Sequence, residues 1–204
     1  EKDIDQTNAV LTLNNIVSVY NNEQKFPEMD AYCISKLYAD WKGLSQTAIT
    51  TALSVDNILD TIDDMFVDQS EHRVTPTGRI LYVTPTVAKL IRNARAIDRQ
   101  ISISNFGGRV TRDVNAIDNV IIEEVPSELM QTAYDFSEGW KKGVSAKQIN
   151  MLLVDPNAVI TPVSYSAARL DPPSAGSKNK WVYFEESYED VFILNQKVHG
   201  LKFH

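Results

Sequence analysis

Residues 54–95 carry the pattern that most restricts how this chain can fold, because two one-sided apolar stripes flank a short apolar run. Ser54 is placed to cap one helix, and Pro85, after Thr84, suits the first turn of another. Residues 79–83 lie between them and are typical of a strand. The two stripes consist of Val55, Ile58, Leu59, Ile62 and Phe66, and of Val87, Leu90, Ile91 and Ala94. The segment predicts helix, strand, helix, with both helices packed on a sheet that contains residues 79–83.

The remaining apolar runs extend this pattern to an α+β fold. Residues 119–125, 149–154 and 159–165 each predict a strand. The first forty residues predict two helices, or one long helix with a break at Pro27, because apolar side chains recur there at steps of three and four. With 204 residues, 43% of them hydrophobic, the chain can bury a core in one or two domains.

Charge and cysteine content exclude several classes of protein. The net charge is −7 and the pI about 5.0, and Lys and Arg are scattered along the chain. Nucleic-acid-binding proteins usually present a basic face, so we expect neither specific nucleic-acid binding nor attraction to an anionic membrane. No apolar run approaches the length of a membrane span. Cys33 is the single cysteine and lies in an apolar helical pattern, so it predicts a small buried side chain without a disulfide.

The closing segment, residues 180–204, is the best candidate for a catalytic site. Acidic side chains cluster there at Glu185, Glu186, Glu189 and Asp190. General acid–base catalysis requires two carboxylates in unlike environments that face a substrate. We interpret residues 181–184 and 191–194 as strands and the acidic segment as the exposed loop between them. A hydrolase that uses these carboxylates is the alternative.

Motifs for metals, phosphates and nucleophiles are not evident in the sequence. An acidic run fits a solvated helix face better than a calcium loop: Asp56, Asp60, Asp63 and Asp64. The histidines have no second ligand at helical ligand spacing: His72, His199 and His204. The Gly107-Gly108 pair is not followed by a helix start with a lysine. We therefore expect no enzymatic activity, no cofactor and no metal.

Four segments carry a resemblance to a known family. They read KFPEMDAY from Lys25, GRILYVTPTV from Gly78, NMLLVDPNAV from Asn150 and WVYFEESYEDVFIL from Trp181. In this order they resemble the major capsid proteins of tailed bacteriophages and prophages, which have the Hong Kong 97 capsid fold. The resemblance runs through nearly the whole chain.

The resemblance implies a division of the chain into a peripheral and an axial domain. Residues 1–44 resemble the spine-helix part of the peripheral domain, and residues 45–165 resemble the axial domain, in which helices flank a mixed sheet. Residues 166–204 resemble strands that return and are shared between the two domains. One segment is similar in position to an axial loop and is a possible subunit-contact loop: Asn105, Phe106, Gly107 and Gly108.

The implied function is that of a structural subunit of an icosahedral phage or prophage shell around packaged DNA. The implied partners are copies of the chain itself, in pentamers and hexamers, together with scaffold and portal proteins. The implied location is the virion capsid, assembled in the cytoplasm of the bacterial host. An acidic shell wall would repel DNA and so would not stall packaging. A small adaptor or binding module, which would form a closed complex of few subunits, is a further alternative.

The start of the chain leads to one more expectation. It begins at Glu1 without a methionine, close to the first helical pattern. Members of the family carry an N-terminal arm and an extended hairpin before the spine helix. We therefore expect a fragment that folds as a compact, mostly monomeric species of 22.9 kDa.

Overall fold

The computed structural model describes residues 15–94, 116–117, 120–137 and 139–204. The helices in this part are α1 (Phe26–Gly43), α2 (Ile58–Glu71) and α3 (Pro85–Asn93). The strands are β1 (Ile80–Val83), β2 (Ala116–Ile117), β3 (Val120–Glu124), β4 (Tyr134–Asp135), β5 (Lys141–Lys142), β6 (Met151–Val154), β7 (Val159–Ile160), β8 (Val163–Asp171), β9 (Val182–Glu189), β10 (Phe192–Ile193) and β11 (Leu201–Phe203). Among the described helices, none is long and apolar enough to cross a bilayer.

A mixed five-stranded sheet lies at the centre, with the strand order β11-β6-β1-β3-β2. Strand β1 runs parallel to β3 and antiparallel to β6, and β11 pairs antiparallel with β6. Three two-stranded pairs surround it: β7 with β10, β4 with β5, and β8 with β9. The α+β class with a mixed sheet is confirmed.

One face of the sheet packs against α2 and α3. Leu81, Val83 and Leu153 of the sheet share a fully buried cluster with Ile62 of α2 and Ile91 of α3. The predicted packing of both helices on the sheet that contains residues 79–83 is therefore confirmed. The predicted acidic face of α2 is exposed as expected: Asp56, Asp60, Asp63 and Asp64.

The opposite face of the sheet packs against α1. Trp41 is fully buried, and its ring centroid lies 4.9 Å from that of Phe203 on β11. Leu37 and Leu152 belong to the same cluster. The sheet thus lies between two helical layers.

The first helical segment is continuous, so of the two predicted arrangements two separate helices is wrong and one long helix is right, but without the break expected at Pro27. Residues 15–20 are helical, Asn21–Lys25 form a π-helical turn, and α1 follows directly. The N–H of Phe26 bonds to the carbonyl of Asn21, five residues back. This wider turn precedes Pro27, which lies in the first turn of α1 and lacks an N–H. The proline is therefore accommodated without a break.

Two predicted boundaries are also wrong. Ser54 does not cap α2, which begins at Ile58. The side chain of Asn57 instead accepts hydrogen bonds from the N–H (2.7 Å) and the hydroxyl (3.0 Å) of Ser54. These bonds close a turn before the helix. The strand predicted at residues 159–165 is divided into β7 and β8. Pro162, which cannot donate to a strand ladder, lies at the division.

The acidic segment is part of a strand, not the loop predicted between two strands. Strand β9 includes Glu185, Glu186 and Glu189 and pairs antiparallel with β8, for example Ala168 with Glu185. The strand predicted at residues 181–184 is the first half of β9, and β10 pairs with β7. The acidic residues are in strand conformation because β8 pairs with β9 along its length. The loop of this hairpin lies between Asp171 and Val182.

Candidate functional site

A row of polar contacts joins the first helix to the end of β9. Lys25 Nζ donates a hydrogen bond to Glu185 Oε1 and forms an ion pair with it. Tyr32 Oη donates to Asp190 Oδ1 (3.1 Å), and Lys36 Nζ lies 4.0 Å from the same oxygen. Positions 25, 32 and 36 lie on one helical face, at steps of seven and four. Two of the four acids that sequence analysis singled out, Glu185 and Asp190, therefore contact the first helix of the same chain.

Glu185 is an ionised partner in a structural ion pair. The hydrogen bond from Lys25, followed by that from Tyr183 Oη (2.7 Å), lowers the pKa of the Glu185 carboxyl. Tyr188 Oη donates in the same way to Glu186 Oε1 (2.6 Å), which raises the pKa of the tyrosine. A carboxyl that stays ionised has no proton to give, so Glu185 is poorly suited to act as a general acid near neutral pH.

A groove of about 660 Å³ separates α1 from the base of the β8–β9 hairpin. Cys33 and Asp30 line one wall, and Glu189 and Asp190 line the other. Burial, and then the charge of Asp30, raises the pKa of Cys33 to about 11. The thiol is protonated near neutral pH, and it is half-buried, whereas the sequence predicted a buried side chain. No histidine is among the described residues that line this groove.

The hairpin of β8 and β9 leaves apolar side chains exposed along both strands. We call these side chains the hairpin surface: Val163, Tyr165, Leu170, Val182, Tyr183, Phe184 and Tyr188. Phe184 is 53% exposed and Tyr188 59%. Among the described strands, β8 and β9 pair only with each other, so both outer edges lack a strand partner there.

The first helix adds a second set of exposed apolar side chains. Its members are Ile16, Val19, Tyr20 and Phe26. Large apolar side chains grouped on a surface mark interaction sites more often than isolated ones do. The predicted contact loop at Asn105, Phe106, Gly107 and Gly108 lies outside the described residues.

Two of the three histidines come together, which sequence analysis missed. The rings of His72 and His199 stack with centroids 3.6 Å apart, and the Asp68 carboxylate lies beside them. Asp68 and His72 are four residues apart at the end of α2, so the statement that no histidine has a second ligand at helical spacing is wrong. His199 comes from a distant segment that the spacing could not reveal.

His204 lies apart from this cluster and is buried. Its Nε2 donates to the carbonyl of Thr51 (2.7 Å), and its Nδ1 lies 3.4 Å from the side-chain nitrogen of Asn150. Its backbone N–H and carbonyl also bond to Met151 and Asn150. These contacts are those of a structural residue.

Comparison with known proteins gives one likeness of fold. No family model matches the chain, and no curated protein matches it. A solved chain from Mycobacterium phage Che8 is similar in structure, with a TM-score of 0.54 and 12% sequence identity. The match covers 100% of this chain and 66% of the phage chain, so the chain spans just under two thirds of that protein's length. At this identity the likeness shows that the two chains share a fold.

Proposed function

We propose that this chain is a structural subunit of the icosahedral shell of a tailed phage or prophage and has the Hong Kong 97 capsid fold. The observation that carries the proposal is the hairpin surface, which exposes apolar side chains on strands without further described strand partners. The likeness in fold to a phage chain, which extends over the full length of this chain, supports the proposal. The four segments that resemble major capsid proteins point the same way.

The dimensions of the hairpin suit contact between subunits. Strand β8 has nine residues and therefore extends about 30 Å. A two-stranded hairpin is marginally stable in water by itself, so packing against a neighbour would stabilise it. When the same patch on each subunit meets a different patch on the next, the contacts are heterologous, and a rotation that closes after five or six subunits gives pentamers or hexamers.

Contacts within the subunit set the direction of the hairpin before any neighbour binds. The Lys25–Glu185 and Tyr32–Asp190 contacts hold the end of β9 against the first helix. Lys36 Nζ also lies 5.6 Å from the centre of the Phe192 ring, just beyond β9. A surface held in its bound orientation loses less conformational entropy on association.

The charge of the chain is compatible with a shell that encloses DNA. A net charge of −7 repels phosphate over roughly 8 Å at physiological salt. In this proposal the partners are copies of the chain, with scaffold and portal proteins, and the location is the virion capsid assembled in the host cytoplasm. The chain acts without catalysis. Residues 1–44 contribute to the peripheral domain, residues 45–165 form the axial domain, and residues 166–204 are shared between the two.

Electron microscopy of the complete gene product that carries this chain, expressed with its scaffold, tests the proposal. We expect closed shells from the wild type and none from Phe184→Asp, which inserts a charge into the hairpin surface opposite Arg169. The matched control is Val67→Asp, because Val67 is 58% exposed on α2. Equal loss of shells in both variants would contradict the role of the hairpin. A closed complex of few subunits would indicate an adaptor instead, and turnover of a hydrolysable substrate that is lost in Glu185→Gln would indicate an enzyme.

A further inference from the structure

The stacked histidines form a group of ligand side chains that the shell function does not use. His72 follows α2 directly, Asp68 lies one turn earlier, and His199 lies in the 3₁₀ turn Asn195–Gly200. One ligand atom from each residue lies within 4.8 Å of the other two. We propose that Asp68, His72 and His199 bind a divalent first-row transition-metal ion such as Zn²⁺.

The two histidine ligands and one aspartate ligand favour a transition-metal ion over Ca²⁺ or Mg²⁺. Two imidazoles with one carboxylate are typical of zinc and its neighbours, whereas Ca²⁺ and Mg²⁺ prefer oxygen ligands alone. Tetrahedral ligand atoms at ~2.0–2.1 Å from an ion are about 3.3 Å apart. The ligand atoms lie within 4.8 Å of one another, so binding of an ion by all three requires the exposed His72 ring to turn out of its stack with His199.

Hydrogen bonds leave one ligand atom free on Asp68 and one on His72. His72 Nδ1 lies 2.7 Å from the backbone carbonyl of Asp68; as donor in this bond it leaves Nε2 with a lone pair for a metal. Lys202 Nζ donates to Asp68 Oδ2 (3.0 Å), which leaves Oδ1.

The backbone that carries His199 is held firmly against α2. The carbonyl of Gly200 accepts hydrogen bonds from Gln69 Nε2 (2.9 Å) and from the N–H of Asp155 (2.7 Å). Gln69 is fully buried and lies next to Asp68. Such support from surrounding residues places a ligand before the metal arrives. A bound ion would join the end of α2 to the turn that leads into β11.

A substitution at Lys202 distinguishes this site from adventitious metal binding. Its ammonium pairs with Asp68 and would repel a cation held by the same carboxylate. Lys202→Met should therefore tighten binding. Adventitious binding to exposed side chains elsewhere would be unaffected by this change.

Calorimetric titration of the untagged chain with ZnCl₂, after treatment with a chelator and dialysis, tests the proposal. We expect one ion per chain, affinity at least tenfold weaker in His72→Gln and in His199→Gln, and tighter binding in Lys202→Met. At about 100-fold excess of free Zn²⁺ over Kd, the unfolding midpoint of the wild type should rise by roughly 5–10 °C.

The matched control is Glu71→Gln, which removes an exposed carboxylate beside the site and should leave the affinity unchanged. Circular dichroism of each variant checks that it is folded. Co²⁺ in place of Zn²⁺ should give visible absorption that depends on both histidines. Equal zinc binding by the wild type and the His72→Gln/His199→Gln double variant would overturn the proposal, as would loss of binding in Glu71→Gln. Because the chain is titrated unassembled, failure here leaves the shell proposal standing.

Discussion

Gly200 lies so close to Ala158 that a Cβ placed on it would stand 2.5 Å from the Ala158 Cβ. The two residues end the 3₁₀ turns Asn195–Gly200 and Pro156–Ala158, and both are buried. Side-chain Cβ atoms do not approach each other to this distance, so the two turns can pack only with glycine at position 200. The contact fixes where β11 enters the sheet.

Gly200→Ala should therefore lower the free energy of unfolding by about 1–3 kcal/mol, the usual cost of overpacking. Urea denaturation measures it. Gly43→Ala is the matched control, because nothing lies within 4 Å of the Cβ position at Gly43, in the last turn of α1. Alanine there should be neutral or slightly stabilising. An equal loss in both variants would show that backbone flexibility, not the contact with Ala158, decides the effect.

Ile62→Asp should destabilise the chain far more. Ile62 is fully buried between α2 and the sheet, so the new carboxylate would lose its water without gaining a partner. We expect a loss of about 4 kcal/mol or more, which lowers the thermal midpoint by roughly 10 °C. Val67→Asp on the exposed face of the same helix is the control. A midpoint unchanged by Ile62→Asp would contradict the packing of α2 on the sheet.

The helices around Ile62 could be predicted from sequence because each has a one-sided apolar stripe, although only α3 has a clear start signal. Thr84 and Pro85 begin α3 where expected, and the apolar run of β1 lies at the predicted place. Burial on one side produces the helical period, and that period is visible without knowledge of the partner.

The hairpin could not be predicted in the same way. Most of β8 and β9 is exposed on both faces, so the two strands lack the alternation that burial on one side imposes. Glu185 and Glu186 therefore suggested a loop. The meeting of His72 with His199 depends on how β11 and the preceding turn pack, which no local spacing encodes. Asp68 and His72, at helical spacing, were the one local signal of that cluster.

The ion pair of Lys25 with Glu185 gives a prediction on pH. The pKa of Glu185 is lowered from its ordinary value of 4.5, so the contact stabilises the folded chain above pH 4.5 and is lost as the pH falls through the lower folded value. In Lys25→Met the pKa of Glu185 should rise toward 4.5 but stay below it, because Tyr183 still donates a hydrogen bond to the Glu185 carboxylate. Titration of the side-chain carboxyl by ¹³C NMR measures both values. Lys42→Met, a charge change elsewhere on α1, should leave the pKa of Glu185 as it is.

Cys33 gives the last prediction, on reactivity. With the pKa of the thiol raised from 9.0 to about 11, the thiolate fraction at pH 8 falls about 100-fold relative to an unfolded chain. Alkylation by iodoacetamide should therefore be slower in the folded protein than in urea, although by less than the thiolate fraction alone gives, because a thiolate of higher pKa is the better nucleophile. In the folded chain the rate should keep rising with pH beyond 9, whereas in urea it should level off near 9.

Asp30→Asn separates the two causes of this shift. Burial contributes most and the charge of Asp30 less, so the variant should move the alkylation profile to slightly lower pH without bringing it to that of the unfolded chain. Glu28→Gln, on the same wall of the groove, is the control and should have a smaller effect, because Glu28 is not among the groups that shift the pKa of Cys33. A folded-state profile that levels off near pH 9 would show an accessible, ordinary thiol. The groove beside α1 would then hold an exposed thiol of ordinary pKa, which would contradict the packing role of Cys33.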